Sequence, residues 1–211
     1  MESKISDCQK KLAEFLEFSG YDPDNLTFLG YGSEGAVFST HSYIFKYFFK
    51  GAMTFPDGRL EFILQKFLGN KKISGVRQLS DIICDGKTVV FVTPYEEYGP
   101  YTGGDAENIL DILVDSKINN YIFTNFHPKN LMYDSDHNLR IIDVGRSLAP
   151  YTDKGYQNMV YRAYLTTYFY QRPDLSELMS SLHRPGFIKE LDEIGIYMTP
   201  LDNRFKLHIR C

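Results

Sequence analysis

HPKNLMYDSDHNLRIIDVG, residues 127–145, is the stretch from which the chain is best read. Two short apolar runs, NLMYD (130–134) and LRIIDV (139–144), flank the turn-forming residues Ser135 to Asn138. That pattern predicts a β-hairpin. Asn130 opens one strand and Asp143 closes the other, and a hairpin brings its two ends together. An amide oxygen and a carboxylate can then converge on one cation. Mg²⁺ suits such a pair, because it takes a few protein oxygens and completes its shell with phosphate. The plainer alternative is an Asn cap and a surface Asp. Two isoleucines just before Asp143 and Gly145 two positions after it are unusual around a merely solvated carboxylate.

Upstream, GYGSEGAVF (30–38) carries glycines at 30, 32 and 35, with Ser33 between them and Val37 after them. Glycine lets a backbone approach a phosphate closely and adopt positive φ. A tight hairpin tip is the competing reading. The β-branched and aromatic residues after Gly35 predict a strand rather than a helix, so the loop joins strand to strand. YIFKYFF (43–49) sets Lys46 in the middle of an apolar strand. An unpaired ammonium there is costly. Either the strand lies at a sheet edge with Lys46 facing water, or Lys46 has an anionic partner. Glu61, the acidic residue inside the following helical pattern, is the candidate.

The remaining pattern is a β-rich half followed by a helical half. Residues 3–18 read as an amphipathic helix, 26–49 as two or three antiparallel strands, and 58–69 as a helix. Residues 79–95 form a hairpin turning at Asp85-Gly86. YGPYTGG (98–104) reads as a flexible hinge. Residues 105–118 form a helix with Asp105 as N-cap. Helices follow at 154–171, after Arg172-Pro173-Asp174, and at 186–196. The tyrosine-rich stretch from Tyr156 to Tyr170 is expected to pack as a core helix, with a sugar-stacking or docking surface as the alternative.

Composition sets the background. The 211 residues carry 23 basic and 27 acidic side chains, a net charge of −4. That balance argues against nucleic-acid binding by bulk positive charge. With 43% hydrophobic residues and 15% aromatics the chain can bury a sizeable core. Cys8, Cys84 and Cys211 have neither zinc-ligand spacing nor a disulfide framework. The N-terminus is charged and amphipathic, unlike a signal peptide, and no apolar run is long enough for a transmembrane segment. A cytoplasmic protein is expected.

In order and across most of the chain, these pieces resemble the protein-kinase-like superfamily. GYGSEGAVF is similar to the Gly-rich loop, Lys46 to the strand-three lysine, Glu61 to the helix-C glutamate, VTPYEEYG to the hinge, NFHPKN to the catalytic loop and DVG to the metal-binding DFG motif. The resemblance implies an α+β, two-lobed fold. Residues 1–98 would be the N-lobe and 99–211 a minimal helical C-lobe. It implies ATP and Mg²⁺ as cofactors. Gly30, Gly32, Ser33, Gly35, Val37, Lys46 and Glu61 would surround the phosphates. The backbone of Tyr95, Glu96 and Glu97 would meet adenine, and Asn130 and Asp143 would hold the metal.

His127, two residues after Asn125, makes the loop similar to those of aminoglycoside-phosphotransferase-like small-molecule kinases. The economy of the C-lobe resembles the RIO and lipopolysaccharide-sugar kinases. GSEGAVF and IIDVGRSLAPYT also resemble kinase-like domains of bacterial polysaccharide-modifying proteins. A further C-terminal domain in a longer native chain is expected on that ground. The expected activity is phosphotransfer to a hydroxyl of a small-molecule or saccharide acceptor. Lys129, Arg146 and Arg162 are candidate binders of an anionic acceptor. One departure bears on activity: Asn125 stands where the family has its catalytic Asp, and Phe123 where it has His. An amide cannot take the hydroxyl proton. Three explanations stay open: a slowed enzyme, a nucleotide-binding pseudokinase, or an Asp deliberately replaced to trap a complex. An atypical protein kinase is a further alternative.

Overall fold

Strand VVFVTP is apolar without alternation, which marks a strand covered on both faces. In the computed structural model, which describes residues 2–68, 73, 75–182 and 205, it is one of three inner strands of a five-stranded sheet and buried nearly throughout. The chain divides into two units, residues 1–72 with 77–97, and residues 73–76 with 98–211.

The first unit contains helix α1 (Glu2–Phe18), strands β1 (Thr27–Tyr31), β2 (Gly35–Ser39) and β3 (Tyr43–Phe48), helix α2 (Arg59–Phe67), and strands β4 (Asp81–Cys84) and β5 (Val89–Pro94). The strands form one antiparallel sheet in the order β1-β2-β3-β5-β4. The two-residue pleat sorts the side chains. Ala36, Phe38, Phe45, Val90 and Val92 meet Leu12 and Leu16 of α1 in one buried cluster. On β3 and β5 the alternate residues Phe48 and Phe91 pack with Phe55, ring centroids 4.8–5.6 Å apart. Gly35 is required by close approach: a methyl group there would lie 2.1 Å from the Tyr47 carbonyl oxygen.

The second unit contains β6 (Gly99–Pro100), α3 (Ala106–Ile118), β7 (Tyr121–Phe123), β8 (Leu131–Tyr133), β9 (Leu139–Ile141), β10 (Leu148–Pro150), α4 (Asp153–Phe169) and α5 (Leu175–Ser181). One sheet runs β6-β8-β9, and β10 pairs with β7. Asp105 caps α3 by accepting from the Asn108 N–H, and Thr152 caps α4 by accepting from Gly155. Both are residue types whose side-chain oxygen satisfies an orphan amide of the first turn. Helix α4 is buried from Met159 to Thr167, and the Tyr156 hydroxyl donates to the Leu113 carbonyl at 3.2 Å. Tyr164 and Tyr168 pack on Phe205.

The α+β class expected from the pattern is what the structure has, and the antiparallel strands over 26–49, the two predicted hairpins and the helices through residue 181 are found. The expected helix over 186–196 lies outside the described residues. Three short strands were not anticipated. The stretch read as a flexible hinge contributes β6, which pairs with Tyr133 and Met132 of β8. Strands β7 and β10 are three residues each, too short for alternation to reveal them. The tyrosine-rich helix is core rather than a surface: Tyr156, Tyr161 and Tyr164 are buried, and Tyr168 is the exposed exception. Cys8 and Cys84 are free thiols. No helix among the described residues is long and apolar enough to cross a membrane.

Two tyrosines make the fold sensitive to alkali. The Tyr21 hydroxyl donates to Asp81 at 3.0 Å and the Tyr133 hydroxyl to Asp105 at 2.9 Å. Burial, reinforced by the neighbouring carboxylate, pushes each phenol from 10.0 up to about 12. Below pH 10 both states keep these protons. Between pH 10 and 12 the unfolded chain loses them first, so stability falls as pH rises through that window. Urea midpoints measured from pH 9 to 12 should decline less steeply in a Tyr21→Phe, Tyr133→Phe double variant than in the parent chain.

Candidate functional site

In the first unit, Lys46 lies on β3, the middle strand of five, with Val37 and Phe91 as its cross-strand neighbours. The edge-strand alternative is therefore excluded. Pleating puts Lys46 on the face opposite α1, beside Phe48, whose ring centroid is 5.1 Å from Nζ. The ammonium is mostly buried, with 16% of the side chain exposed. Its carboxylate neighbour at 3.5 Å is Glu34, itself 13% exposed. Glu61, the partner expected from sequence, is exposed in the first turn of α2. The local reason is the hairpin: Phe49 N–H donates to the Glu34 carbonyl, which tethers the loop end beside the strand that carries Lys46.

The Gly-rich loop has the anticipated strand-loop-strand form, with the Gly32 N–H donating to the Gly35 carbonyl across its mouth. None of its three glycines has positive φ, contrary to one expectation from sequence. Their roles differ. Gly35 is needed for packing, whereas a side chain at Gly30 or Gly32 would meet nothing within 4 Å. These two, with exposed Ser33, leave open space over the backbone. Val37 is half-buried. Tyr95, Glu96 and Glu97 are exposed at the end of β5, and the Tyr95 N–H is engaged by the Ser42 carbonyl.

In the second unit, the ends of the β8–β9 hairpin meet as expected. Ile142 N–H donates to the Asn130 carbonyl at 2.9 Å, extending the ladder to the residue before Asp143. The Asn130 side-chain amide donates to the backbone carbonyl of Asn125 at 3.0 Å. That bond commits Nδ2 to the loop backbone, and Oδ1 is the side chain's acceptor atom. Asp143 is half-buried, and its backbone carbonyl accepts from the Ser147 hydroxyl at 3.2 Å. Asn125 is exposed, between the fully buried Phe123 and Phe126. The two phenylalanines anchor the loop from within.

His127 supports this loop from the other side. Its Nδ1 accepts from the Lys129 N–H at 3.2 Å, so the neutral ring carries its proton on Nε2. Burial, then the charges of Lys129 and Arg162, hold its pKa below the usual 6.5. Arg162 is buried on α4 rather than solvated, and burial lowers its pKa. Arg146 and Lys129 are exposed.

The donors suit a hard cation that keeps most of its shell for phosphate and water. One carboxylate and one amide oxygen are too few for a metal held by protein alone. Among the described residues no group of three or more His, Cys, Asp or Glu side chains could hold a metal ion. Glu34 was missed from sequence. The signal for Glu34 was its place at the tip of a hairpin whose far strand carries Lys46. The chain matches no protein-family model, and no curated protein matches its sequence.

The Lys46–Glu34 pair can be measured directly. A double-mutant cycle of Lys46→Met and Glu34→Gln should give a coupling of about 0.5–3 kcal/mol in urea unfolding, the range for contacting charged groups. The same cycle with Glu61→Gln should give coupling near zero. The reverse ranking would restore Glu61 as the partner.

Proposed function

We propose that the chain is an ATP- and Mg²⁺-dependent phosphotransferase of two-lobed, kinase-like architecture, acting on a hydroxyl of a non-protein acceptor, a sugar or saccharide end. The observation that carries this reading is the hairpin mouth. Asn130 lies opposite the residue that precedes Asp143, and its amide is turned by the Asn125 carbonyl so that Oδ1 remains to ligate. Support from the other unit is independent. Lys46 is mostly buried in the middle of the sheet beside a Gly-rich hairpin loop, where Glu34 at 3.5 Å orients its ammonium and a phosphate would be a second anion for it.

In this reading Gly30, Gly32 and Ser33 lie over the phosphates and Lys46 neutralises them. Asn130 and Asp143 share Mg²⁺ with the phosphate oxygens. Bound Mg²⁺ supplies charge neutralisation for phosphoryl transfer. The side chain at 125 faces the acceptor hydroxyl. Mg²⁺ without nucleotide should bind weakly, because the protein offers only two ligands.

A second reading, a nucleotide-binding pseudokinase, is favoured by one observation: position 125 is an amide without a basic oxygen. General-base help is worth roughly 10²–10⁴ in rate. An enzyme without it is slow, and a binding module does not need it.

Isothermal titration should show Mg·ATP binding that is strongly weakened in Lys46→Ala. It should be lost in Asp143→Asn, with the circular dichroism spectrum unchanged. Unaltered binding in both variants would sink the nucleotide reading. Asn125→Asp should raise ADP formation with saccharide acceptors, within the general-base range of roughly 10²–10⁴. ATP binding without any rise would favour the pseudokinase.

A further inference from the structure

The second unit holds a cavity of about 540 Å³ beside the loop that carries Asn125 and Asn130. His127, Pro128 and Lys129, three of the four residues separating those two, line it. Another part of its wall is aromatic, made by Tyr101 and Tyr170, with ring centroids 5.9 Å apart at 65°. This wall is built in. Tyr170 occupies the space a side chain at residue 103 would take: a methyl on Gly103 would lie 2.0 Å from its ring, and Gly103 has φ +87°. Gln171 donates to the Tyr170 hydroxyl at 2.9 Å.

Among the described residues no carboxylate lines the cavity. Two cations do, but they are not equivalent. Arg172 donates two hydrogen bonds to Asp174, which offsets its charge. Lys129 has no ion-pair partner among the described residues. His127 presents a neutral ring with Nε2–H as donor, and Ser176 adds a hydroxyl.

We infer that this cavity seats the acceptor, and that the acceptor is a saccharide bearing one anionic group, phosphate or carboxylate. The sugar's C–H face lies against Tyr170, to which buried Tyr101 packs edge-to-face, its hydroxyls meet His127 and Ser176, and its anion faces Lys129. A flat aromatic face suits a pyranose, and a single uncompensated cation suits a single anion. The inference rests on the phosphotransferase reading for the use made of binding, but not for binding itself.

The test is calorimetric titration of the nucleotide-free protein with glucose 6-phosphate, glucuronate, glucose and inorganic phosphate. Both anionic sugars should bind at least about fivefold more tightly than glucose or phosphate alone. Lys129→Met should bring them to the level of glucose. Tyr170→Ala should weaken every sugar about two- to tenfold, the range expected for aromatic contacts. Gly103→Ala should do the same with Tyr170 intact, because it displaces the ring. Circular dichroism checks that each variant is folded.

A preference for phosphate alone overturns the saccharide, and one for glucuronate or glucose 6-phosphate identifies the anion's source. Equal binding of glucose and the anionic sugars overturns the role of Lys129. If Mg·ATP binds and no sugar does, this inference fails alone. If the anionic sugars bind as stated and Mg·ATP does not, the cavity stands and the phosphotransferase reading falls.

Discussion

A charge on a strand paired along both edges cannot reach water by sliding to a sheet margin. That constraint shapes the first unit. Pleating gives β3 two faces, and α1 covers the one that carries Phe45. Lys46 is left on the other face among Phe48 and the β5 residue Phe91. The sheet keeps its ammonium by bringing Glu34 to 3.5 Å at the end of a hairpin loop. The loop therefore has two tasks. Gly35 lets β2 lie against β3, and the residues before it carry the carboxylate while leaving Gly30 and Gly32 unobstructed.

The second unit solves a different problem, the convergence of two polar groups from an otherwise apolar hairpin. Backbone pairing does most of this, since the ladder bond from Ile142 to Asn130 continues the β8–β9 register by one residue. The side chain of Asn130 is then turned by the Asn125 carbonyl. Position 125 thus has a structural use through its backbone, whatever its side chain does. Phe123 and Phe126 on either side are fully buried and fix the loop to β7 and the core. The cavity lined by His127, Pro128 and Lys129 borders the same loop, so Asn125, Asn130 and part of the cavity wall are held by one short segment.

Much of this was legible in sequence because it depends on short-range pattern. Runs of β-branched and aromatic residues announced β1 to β5, and turn residues at 85–86 and 135–138 announced two hairpins. Asp105 announced a helix start. Asn130 and Asp143 could be paired because hairpin closure is a local geometric necessity. Strands β6, β7 and β10 escaped, since two or three residues carry no measurable period. Their pairing comes from segments distant in sequence, Gly99 with Tyr133 and Tyr121 with Pro150.

By itself the sequence determined the α+β class, the strand-loop-strand form of the Gly-rich segment and the hairpin whose ladder pairs Asn130 with Ile142, the residue before Asp143. Each follows from residue types within a few positions of one another. Only tertiary structure decided the neighbours of isolated groups. Lys46 was as compatible with an edge strand and with Glu61 as with the middle of a sheet and Glu34. Strand order, which is non-local, made the choice. Tyr156, Tyr161 and Tyr164 were expected in the core with a ligand surface as the alternative, and packing of α4 against its neighbours buried them. Tyr170 and Gly103 became a cavity wall through contact across 67 residues. The physical reason is the same throughout: local pattern fixes which way a side chain points from its own backbone, and only the packed chain fixes what it meets.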